Sequence, residues 1–170
     1  MGIQSGAPYP PLRVQAPNPA YAEMMLSNMA AANSEMTAVA QYRYARLMSL
    51  HADSDISNLF HKVSMVEMHH LDLFSRLALE LGAEPRLWHC RGGRREYWSP
   101  CHASYAHCSV EDLVRAALEA EYAAIHKYEC QLERIADPHI SALLRRVIED
   151  EREHVKLWEE VLNTRASHPG

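Results

Sequence analysis

Two Glu-x-x-His motifs carry the clearest chemical signal in the sequence, one from Glu67 to His70 and one from Glu151 to His154. Residues three apart lie on the same face of a helix, so each motif presents a carboxylate and an imidazole together. Carboxylate oxygens and imidazole nitrogens bind first-row divalent metals, including iron and manganese. The motifs therefore predict a metal site between two helices.

An internal repeat doubles this pattern. The second Glu-x-x-His motif follows the first by 84 residues, and in each an aromatic residue stands four positions after the histidine. A further pattern, Glu-x-x-Ala-x-x-x-Tyr, begins at Glu35 and again 86 residues later at Glu121. We interpret the chain as two similar helical hairpins, each of which supplies one copy of both patterns.

The acidic residues of the repeat fall where a helical core should be apolar. Each of four predicted helices has an apolar stripe with helical spacing, and a carboxylate interrupts each stripe near its middle. Four carboxylates cannot be buried together unless water or cations reach them. Two divalent ions would balance the four carboxylates, and two neutral imidazoles would complete the coordination. The candidate ligands are Glu35, Glu67, His70, Glu121, Glu151 and His154.

The elements that must position these ligands are four helices, predicted at about residues 20–50, 54–81, 109–136 and 138–164. Their starts are indicated by N-cap residues, namely Asp53 or Ser54, Ser109 and Asp137. The first and third connections are short, so the helices that they join are antiparallel. The segment 82–108 is long enough to run the length of a bundle. The sequence therefore predicts an all-α fold of two antiparallel hairpins joined by a long crossover.

The remaining segments are predicted to be irregular. Residues 1–19 contain five prolines and are expected to form a mobile or extended arm, and residues 165–170 a short tail. The crossover contains four aromatic residues that we expect to fasten it to the bundle or to form a dimer interface, namely Trp88, Tyr97, Trp98 and Tyr105.

The crossover also contains two unusual polar features. Three His/Cys pairs are either a second metal or redox site or ordinary buried thiols, namely His89-Cys90, Cys101-His102 and His107-Cys108. The basic segment Arg91–Arg95 is interpreted as a solvated loop rather than a site for an anion or RNA, because the chain as a whole is acidic.

The spacing of these motifs resembles the ferritin-like superfamily of di-metal carboxylate proteins, which includes rubrerythrins, bacterioferritins and manganese catalases. The resemblance covers about residues 20–164. It implies a ferritin-like four-helix bundle in which Glu35 and Glu121 are terminal ligands, one per metal. Glu67 and Glu151 would bridge both metals, and His70 and His154 would each bind one. Tyr42 and Tyr128 would orient carboxylates through their hydroxyls.

Three features bear on which member of the superfamily the chain resembles. Rubrerythrins carry an extra carboxylate one turn from the third-helix Glu, whereas the residues one turn from Glu121 are all apolar. Rubrerythrins also carry paired Cys-x-x-Cys motifs, which this sequence lacks. Bacterioferritins place a haem-ligating Met directly after the second-helix Glu, where Met68 stands. We favour ordinary packing over haem ligation for Met68.

The resemblance implies an oxidoreductase in which two Fe ions, or two Mn ions, reduce H₂O₂ or O₂ with oxidation of Fe(II) or an external donor. Manganese-catalase-like disproportionation of H₂O₂ is one alternative. A ferritin-like subunit that binds or stores iron is another, and a metal-free helical bundle is a third. A homo-oligomer, a dimer or larger, is expected from the resemblance alone.

Charge and hydropathy indicate which partners and which cellular location to expect. The net charge of −5 and the pI near 6.1 argue against a nucleic-acid-binding domain. The sequence has no apolar run long enough to span a membrane and no stretch that resembles a signal peptide, so we expect a cytoplasmic protein of bacterial type.

Overall fold

A computed structural model describes residues 2–105 and 109–167 of the chain. These residues form five α-helices, one β-hairpin and one turn of 3-10 helix. The α-helices are α1 (Pro19–Ala30), α2 (Glu35–Ser49), α3 (Ser54–Glu80), α4 (Val110–Leu132) and α5 (Pro138–Ser167). The hairpin strands are β1 (Trp88–Arg91) and β2 (Arg94–Tyr97), and the 3-10 turn is Pro100–His102. None of the described helices is both long and apolar enough to cross a bilayer.

Helices α2 to α5 form a bundle of two antiparallel hairpins. Contacts across the bundle give the direction of the second hairpin: on α2, Tyr42 reaches Glu121 of α4, whereas Glu35 reaches Tyr128. Helix α2 therefore runs antiparallel to α4, and α3 runs parallel to α4. A crossover that spans the length of the bundle is required to join two parallel neighbours. The predicted ferritin-like arrangement is thus confirmed.

Three of the helix starts lie at the predicted cap residues. The Asp53 carboxylate accepts a hydrogen bond from the Ile56 amide at 3.1 Å, which caps α3. The Ser109 hydroxyl accepts one from the Asp112 amide at 3.1 Å, which caps α4. Asp137 precedes Pro138, the first residue of α5, and accepts hydrogen bonds from the amides of the first turn. Such caps satisfy amides that have no partner within the helix.

The first predicted helix, residues 20–50, is in fact two helices. Helix α1 ends at Ala30 and α2 begins at Glu35, where Ser34 caps the new helix by accepting a hydrogen bond from the Thr37 amide. The Lys127 ammonium donates to the carbonyls of Ser27 and Asn33, at 2.9 and 2.7 Å, and so joins the end of α1 to the segment before α2. The break places Glu35 in the first turn of α2.

The described residues of the proline-rich arm are extended, which is one of the two predicted alternatives, and they pack along α5. The Arg146 guanidinium donates to the carbonyls of Ala7 and Ser5, at 2.7 and 3.0 Å. The Gln15 amide donates to the Asp137 carboxylate at 2.6 Å, so this carboxylate holds the arm as well as capping α5. At the other end of the chain, α5 continues through Ser167 into the predicted tail, of which residues 168–170 lie outside the described part.

The crossover contains a β-hairpin rather than only loop. Strands β1 and β2 pair antiparallel, with Gly92 and Gly93 between them at φ +57° and +77°. Positive φ at both central residues is the conformation of a type I′ turn, which Gly adopts without strain. The whole basic segment Arg91–Arg95 is exposed at this turn, as the prediction of a solvated loop requires.

Aromatic residues do fasten the crossover to the bundle. The Trp98 indole donates to the Thr37 hydroxyl at 3.0 Å, and the Tyr105 ring packs edge-to-face on Tyr44 at 5.0 Å. Trp88 packs against the apolar core and lies under the Arg95 guanidinium, whereas Tyr97 is 59% exposed.

The His/Cys pairs of the crossover do not converge on a metal-binding cluster in the described chain. No group of three or more metal-binding side chains there includes His89, Cys90, Cys101 or His102. The third pair, His107-Cys108, lies outside the described residues.

The apolar core is divided into two clusters. One cluster, which includes Met25, Phe74 and Leu144, packs α1 against the bundle. The other is centred on the aromatic side chains of Tyr42, Phe60 and Trp158. The buried acidic residues lie between the two clusters, so apolar packing encloses them from both ends of the bundle.

Replacing Phe60 by Ala should lower the free energy of unfolding by about 3–5 kcal/mol, because the ring is fully buried and its removal leaves a cavity. Phe60 lies 4.6 Å from the Trp158 ring and 5.9 Å from the Tyr42 ring. Urea unfolding monitored by circular dichroism measures the change. Leu79→Ala, at a 60% exposed site on the same helix, is the control and should change the free energy by less than about 0.5 kcal/mol. Equal losses in the two variants would contradict this description of the core.

Candidate metal centre

The structure brings all six predicted ligand side chains together in the middle of the bundle. None of the six residues is more than 2% exposed. They form two overlapping groups, and within each group one ligand atom from every residue lies within 4.8 Å of the others. The first group is Glu35, Glu67, His70 and Glu151, and the second is Glu67, Glu121, Glu151 and His154.

Each group is centred on the Nδ1 atom of a histidine. In the first group, His70 Nδ1 lies 3.2 Å from Glu67 Oε2, 3.3 Å from Glu151 Oε1 and 4.0 Å from Glu35 Oε2. Three carboxylates thus converge on one imidazole nitrogen, although a single N–H can serve only one of them well.

The second group repeats this geometry around the other histidine. His154 Nδ1 lies 3.0 Å from Glu67 Oε1, 3.0 Å from Glu151 Oε2 and 3.5 Å from Glu121 Oε1. Comparison of the two groups shows that Glu67 and Glu151 each direct one oxygen to each histidine. Both carboxylates are therefore shared between the groups, whereas Glu35 and Glu121 each belong to one.

This donor set fits two divalent ions. Donor atoms that share one ion at about 2.1 Å lie roughly 3–3.5 Å apart. Five of the six carboxylate oxygens around the two histidine nitrogens lie at 3.0–3.5 Å, and Glu35 Oε2 lies at 4.0 Å. Glu67 Oε1 and Glu151 Oε1 are buried and accept no hydrogen bond from the described residues. Buried carboxylate oxygens without a donor are costly, and a bound cation would satisfy them.

Two tyrosines bind the unshared carboxylates from opposite hairpins. The Tyr42 hydroxyl of α2 donates to Glu121 Oε1 of α4 at 2.6 Å. The Tyr128 hydroxyl of α4 donates in turn to Glu35 Oε1 of α2. Each hydroxyl thus orients the carboxylate of the other half of the repeat, and the two hydrogen bonds join α2 to α4 across the centre.

Asp150 also belongs to the site, although the sequence analysis did not identify it. This residue is fully buried, and its Oδ2 lies 3.1 Å from His70 Nε2. If Nε2 carries the proton and donates it to Asp150, the Nδ1 lone pair faces the carboxylates, as a metal ligand must. The Arg146 guanidinium pairs with the other Asp150 oxygen at 2.6 Å and balances its charge.

The electrostatics of the cluster show what the four carboxylates do in the absence of a cation. Burial raises the pKa of Glu35 well above its usual range, and the charges of Glu151 and Glu67 raise it further. Burial, together with Glu67, raises the pKa of Glu121 to about 8. Without a cation, both unshared carboxyls therefore take up protons more readily than an exposed glutamate, and Glu121 holds its proton at neutral pH.

The shared carboxylate Glu67 and the two histidines behave in the opposite way. Burial alone would raise the pKa of Glu67, but His154 and His70 together lower it below the usual range. Burial alone would lower the pKa of both histidines, but the surrounding carboxylates raise both values well above 6.5. Without a cation, the cluster thus favours protons on the two imidazoles and on the two unshared carboxyls, which reduces its negative charge.

A cavity of about 460 Å³ connects the centre with the surface between α2 and α4. Its inner end is lined by Glu35, Glu121 and the shared carboxylates, and its walls include Ala38, Ala120 and Ala124. This cavity was not predicted from the sequence. The alanines at helical spacing beside the two Glu-x-x-Ala patterns were the available signal, because small side chains leave space between helices.

Met68 lies apart from the cluster. Its side chain is 46% exposed on the outer face of α3, whereas Glu67 beside it points inward and is 1% exposed. The neighbouring His69 also faces away from the cluster and packs edge-to-face on the Tyr9 ring at 4.7 Å.

Metal binding to this cluster should release protons at pH 7, because the ions displace protons that the raised pKa values favour on Glu35, Glu121, His70 and His154. The apparent affinity should accordingly rise with pH and fall as the solution is made acidic. Calorimetric titration with Mn(II) in buffers of different ionisation enthalpy counts the released protons. A release near zero would show that the metal-free cluster is not protonated in this way.

Comparison with known proteins agrees with this architecture. Two solved structures of KatB, a manganese catalase from Anabaena, match the whole chain and 84% of their own length. Sequence identity is 18% in both, with TM-scores of 0.80 for KatB from Anabaena PCC7120 and 0.82 for the structure described as wild type. No curated protein sequence matches the chain. The ferritin-like domain model matches residues 30–166, which shows that the chain belongs to the ferritin-like family.

Proposed function

We propose that the chain holds a dinuclear metal centre that acts on H₂O₂. Glu67 and Glu151 would bridge the two ions, Glu35 and Glu121 would be terminal ligands, and each histidine would bind one ion. The observation that carries this proposal is the sharing of both oxygens of Glu67 and of Glu151 between the two histidine nitrogens. A structural bundle has no need for acids arranged in this way, since they destabilise it.

When bound, two manganese or two iron ions would supply the exchange of two electrons with a peroxide. The protein would hold these ions close together through the bridging carboxylates and keep them in a site enclosed by the two apolar clusters. The Tyr42 and Tyr128 hydroxyls would keep the terminal carboxylates oriented. The alanine-lined cavity has room for H₂O₂ to approach Glu35 and Glu121.

The structural likeness to a manganese catalase supports disproportionation of H₂O₂ by a dimanganese centre. The ligand types also support a second candidate reaction, in which a di-iron centre reduces H₂O₂ or O₂ with oxidation of Fe(II) or of an external donor, because carboxylate and imidazole ligands suit both metals. We further propose a homo-oligomeric assembly on the basis of the family resemblance, and a cytoplasmic location on the basis of a sequence without an apolar run long enough to span a membrane.

Elemental analysis of protein purified without chelator should find two Mn or two Fe per chain. A dimanganese protein is expected to evolve O₂ from H₂O₂ without added reductant, because in disproportionation one peroxide supplies the two electrons that the other accepts. A di-iron protein is expected instead to consume H₂O₂ or O₂ only as Fe(II) or a reductant is oxidised. A protein that neither contains nor takes up metal would overturn both reactions.

Glu121→Gln should reduce the bound metal from two ions to one per chain and lower activity at least about tenfold, because a terminal ligand is lost from one group only. Glu129→Gln is the matched control on the same helix, since Glu129 is exposed and pairs with Arg152 on the surface. Metal content and initial rates with H₂O₂, measured on the two variants and the parent protein, decide the outcome. A Glu121→Gln protein that keeps two ions and full activity would remove Glu121 from the ligand set.

A further inference from the structure

We infer that the N-terminal arm completes the metal centre on one side: Tyr9, acting through Asp150, positions His70 and makes the ion position beside His70 the tighter of the two. The inference rests on the proposed dinuclear centre and assigns a positioning role to a residue more than fifty positions before any histidine of the site. It also implies that the two ions bind in sequence.

The Tyr9 hydroxyl is bound to the same carboxylate oxygen that faces the histidine. It donates a hydrogen bond to Asp150 Oδ2, and this oxygen lies 3.1 Å from His70 Nε2. The chain of contacts therefore runs from the arm through one carboxylate oxygen to the imidazole. Its far end is His70 Nδ1, the atom around which three carboxylates converge.

The Tyr9 ring is itself held in place by two further contacts. The Arg146 guanidinium lies over one face of the ring, 4.1 Å from its centroid, and the His69 ring packs against it edge-to-face at 4.7 Å. These contacts fix the direction of the hydroxyl. A phenylalanine could keep both ring contacts and lose only the hydrogen bond to Asp150.

The rest of the arm holds Asp150 from its other side. The Ser5 amide donates to Asp150 Oδ1 at 2.7 Å, and Arg146, which pairs with this oxygen at 2.6 Å, also binds the carbonyls of Ser5 and Ala7. Both oxygens of Asp150 thus have donors from the arm. The carboxylate is fixed in the orientation that accepts the His70 proton, and this orientation depends on the docked arm.

In the described chain, the second histidine of the repeat, His154, has no counterpart of the carboxylate and arm contacts that hold His70. His154 Nε2 is buried, and no described residue forms a hydrogen bond with it. The position that corresponds to Asp150 in the first hairpin is Val66, 84 residues earlier. The two histidines thus present the same nitrogen to the carboxylates, but among the described residues only His70 has an anionic partner on its second nitrogen.

This difference should be expressed as unequal metal affinity. A carboxylate that accepts the proton of a ligating histidine fixes the ring and increases the basicity of the other nitrogen. Loss of such a partner typically weakens metal binding by about 10–100-fold. The ion position with His70 is therefore filled first, and the position with His154 is filled at higher metal concentration.

The test is a titration of the full-length protein with Co(II), followed by calorimetry and by the visible absorption of the bound ion. The parent protein should bind two ions in two separate steps. Tyr9→Phe should weaken the tighter step about 3–10-fold, alter its Co(II) absorption and leave the weaker step unchanged; Asp150→Asn should weaken it about 10–100-fold. If Asp150→Asn does not fold, Tyr9→Phe still decides the question.

Arg13→Ala is the matched control. Arg13 contacts His139 at 3.3 Å and does not contact Asp150, so its loss removes one contact of the arm and keeps the hydrogen bonds of Ser5 and Tyr9 to the carboxylate. It should leave both steps and the absorption spectrum close to those of the parent. Equal effects of Tyr9→Phe and Arg13→Ala, or a parent protein that binds two ions in one step, would overturn the inference while leaving the dinuclear centre intact. A parent that binds no Co(II) would overturn the proposed function as well.

Discussion

The repulsion among four carboxylates enclosed in the core is the constraint on which the rest of the structure depends. Burial and mutual repulsion raise the pKa of Glu35 well above its usual range and that of Glu121 to about 8. The protein can therefore stay folded around the buried carboxylates only if protons or cations neutralise part of their charge. Under the proposed function, protons and divalent ions would compete for the same atoms, so metal binding would be coupled to the stability of the bundle.

Apolar packing on both sides of the acidic cluster compensates for the free-energy cost of burying its carboxylates. One apolar cluster joins α1 to the bundle and the other stacks Phe60 against Trp158. Between the two clusters, the hydroxyls of Tyr42 and Tyr128 donate hydrogen bonds across the bundle to the unshared carboxylates of Glu121 and Glu35. The stabilising apolar contacts thus lie on either side of the acidic cluster, and the destabilising burial of charge is confined to the cluster itself.

The sequence predicted the six clustered side chains because their signals are local. Helical spacing and a carboxylate within an apolar stripe can be recognised within a few turns of one helix. Asp150 was missed because its partner His70 is 80 residues away on another helix, and the docked arm was missed for the same reason. The break before Glu35 had a local signal, since Asn33 and Ser34 are N-cap types, but the preceding alanines favour a continuous helix.

The break between α1 and α2 places the two unshared carboxylates, Glu35 and Glu121, at positions where the backbone differs in freedom to move. Glu121 lies in the middle of α4, where any shift of its backbone would disturb hydrogen bonds on both sides. Glu35 is the first residue of α2, next to a non-helical segment tethered by the Lys127 ammonium. Helix ends rearrange at much lower free-energy cost than helix centres. The two halves of the repeat thus differ, because the backbone can shift more easily at Glu35 than at Glu121. The carboxylate cluster can therefore adjust its shape near Glu35 while the bundle stays packed around Glu121.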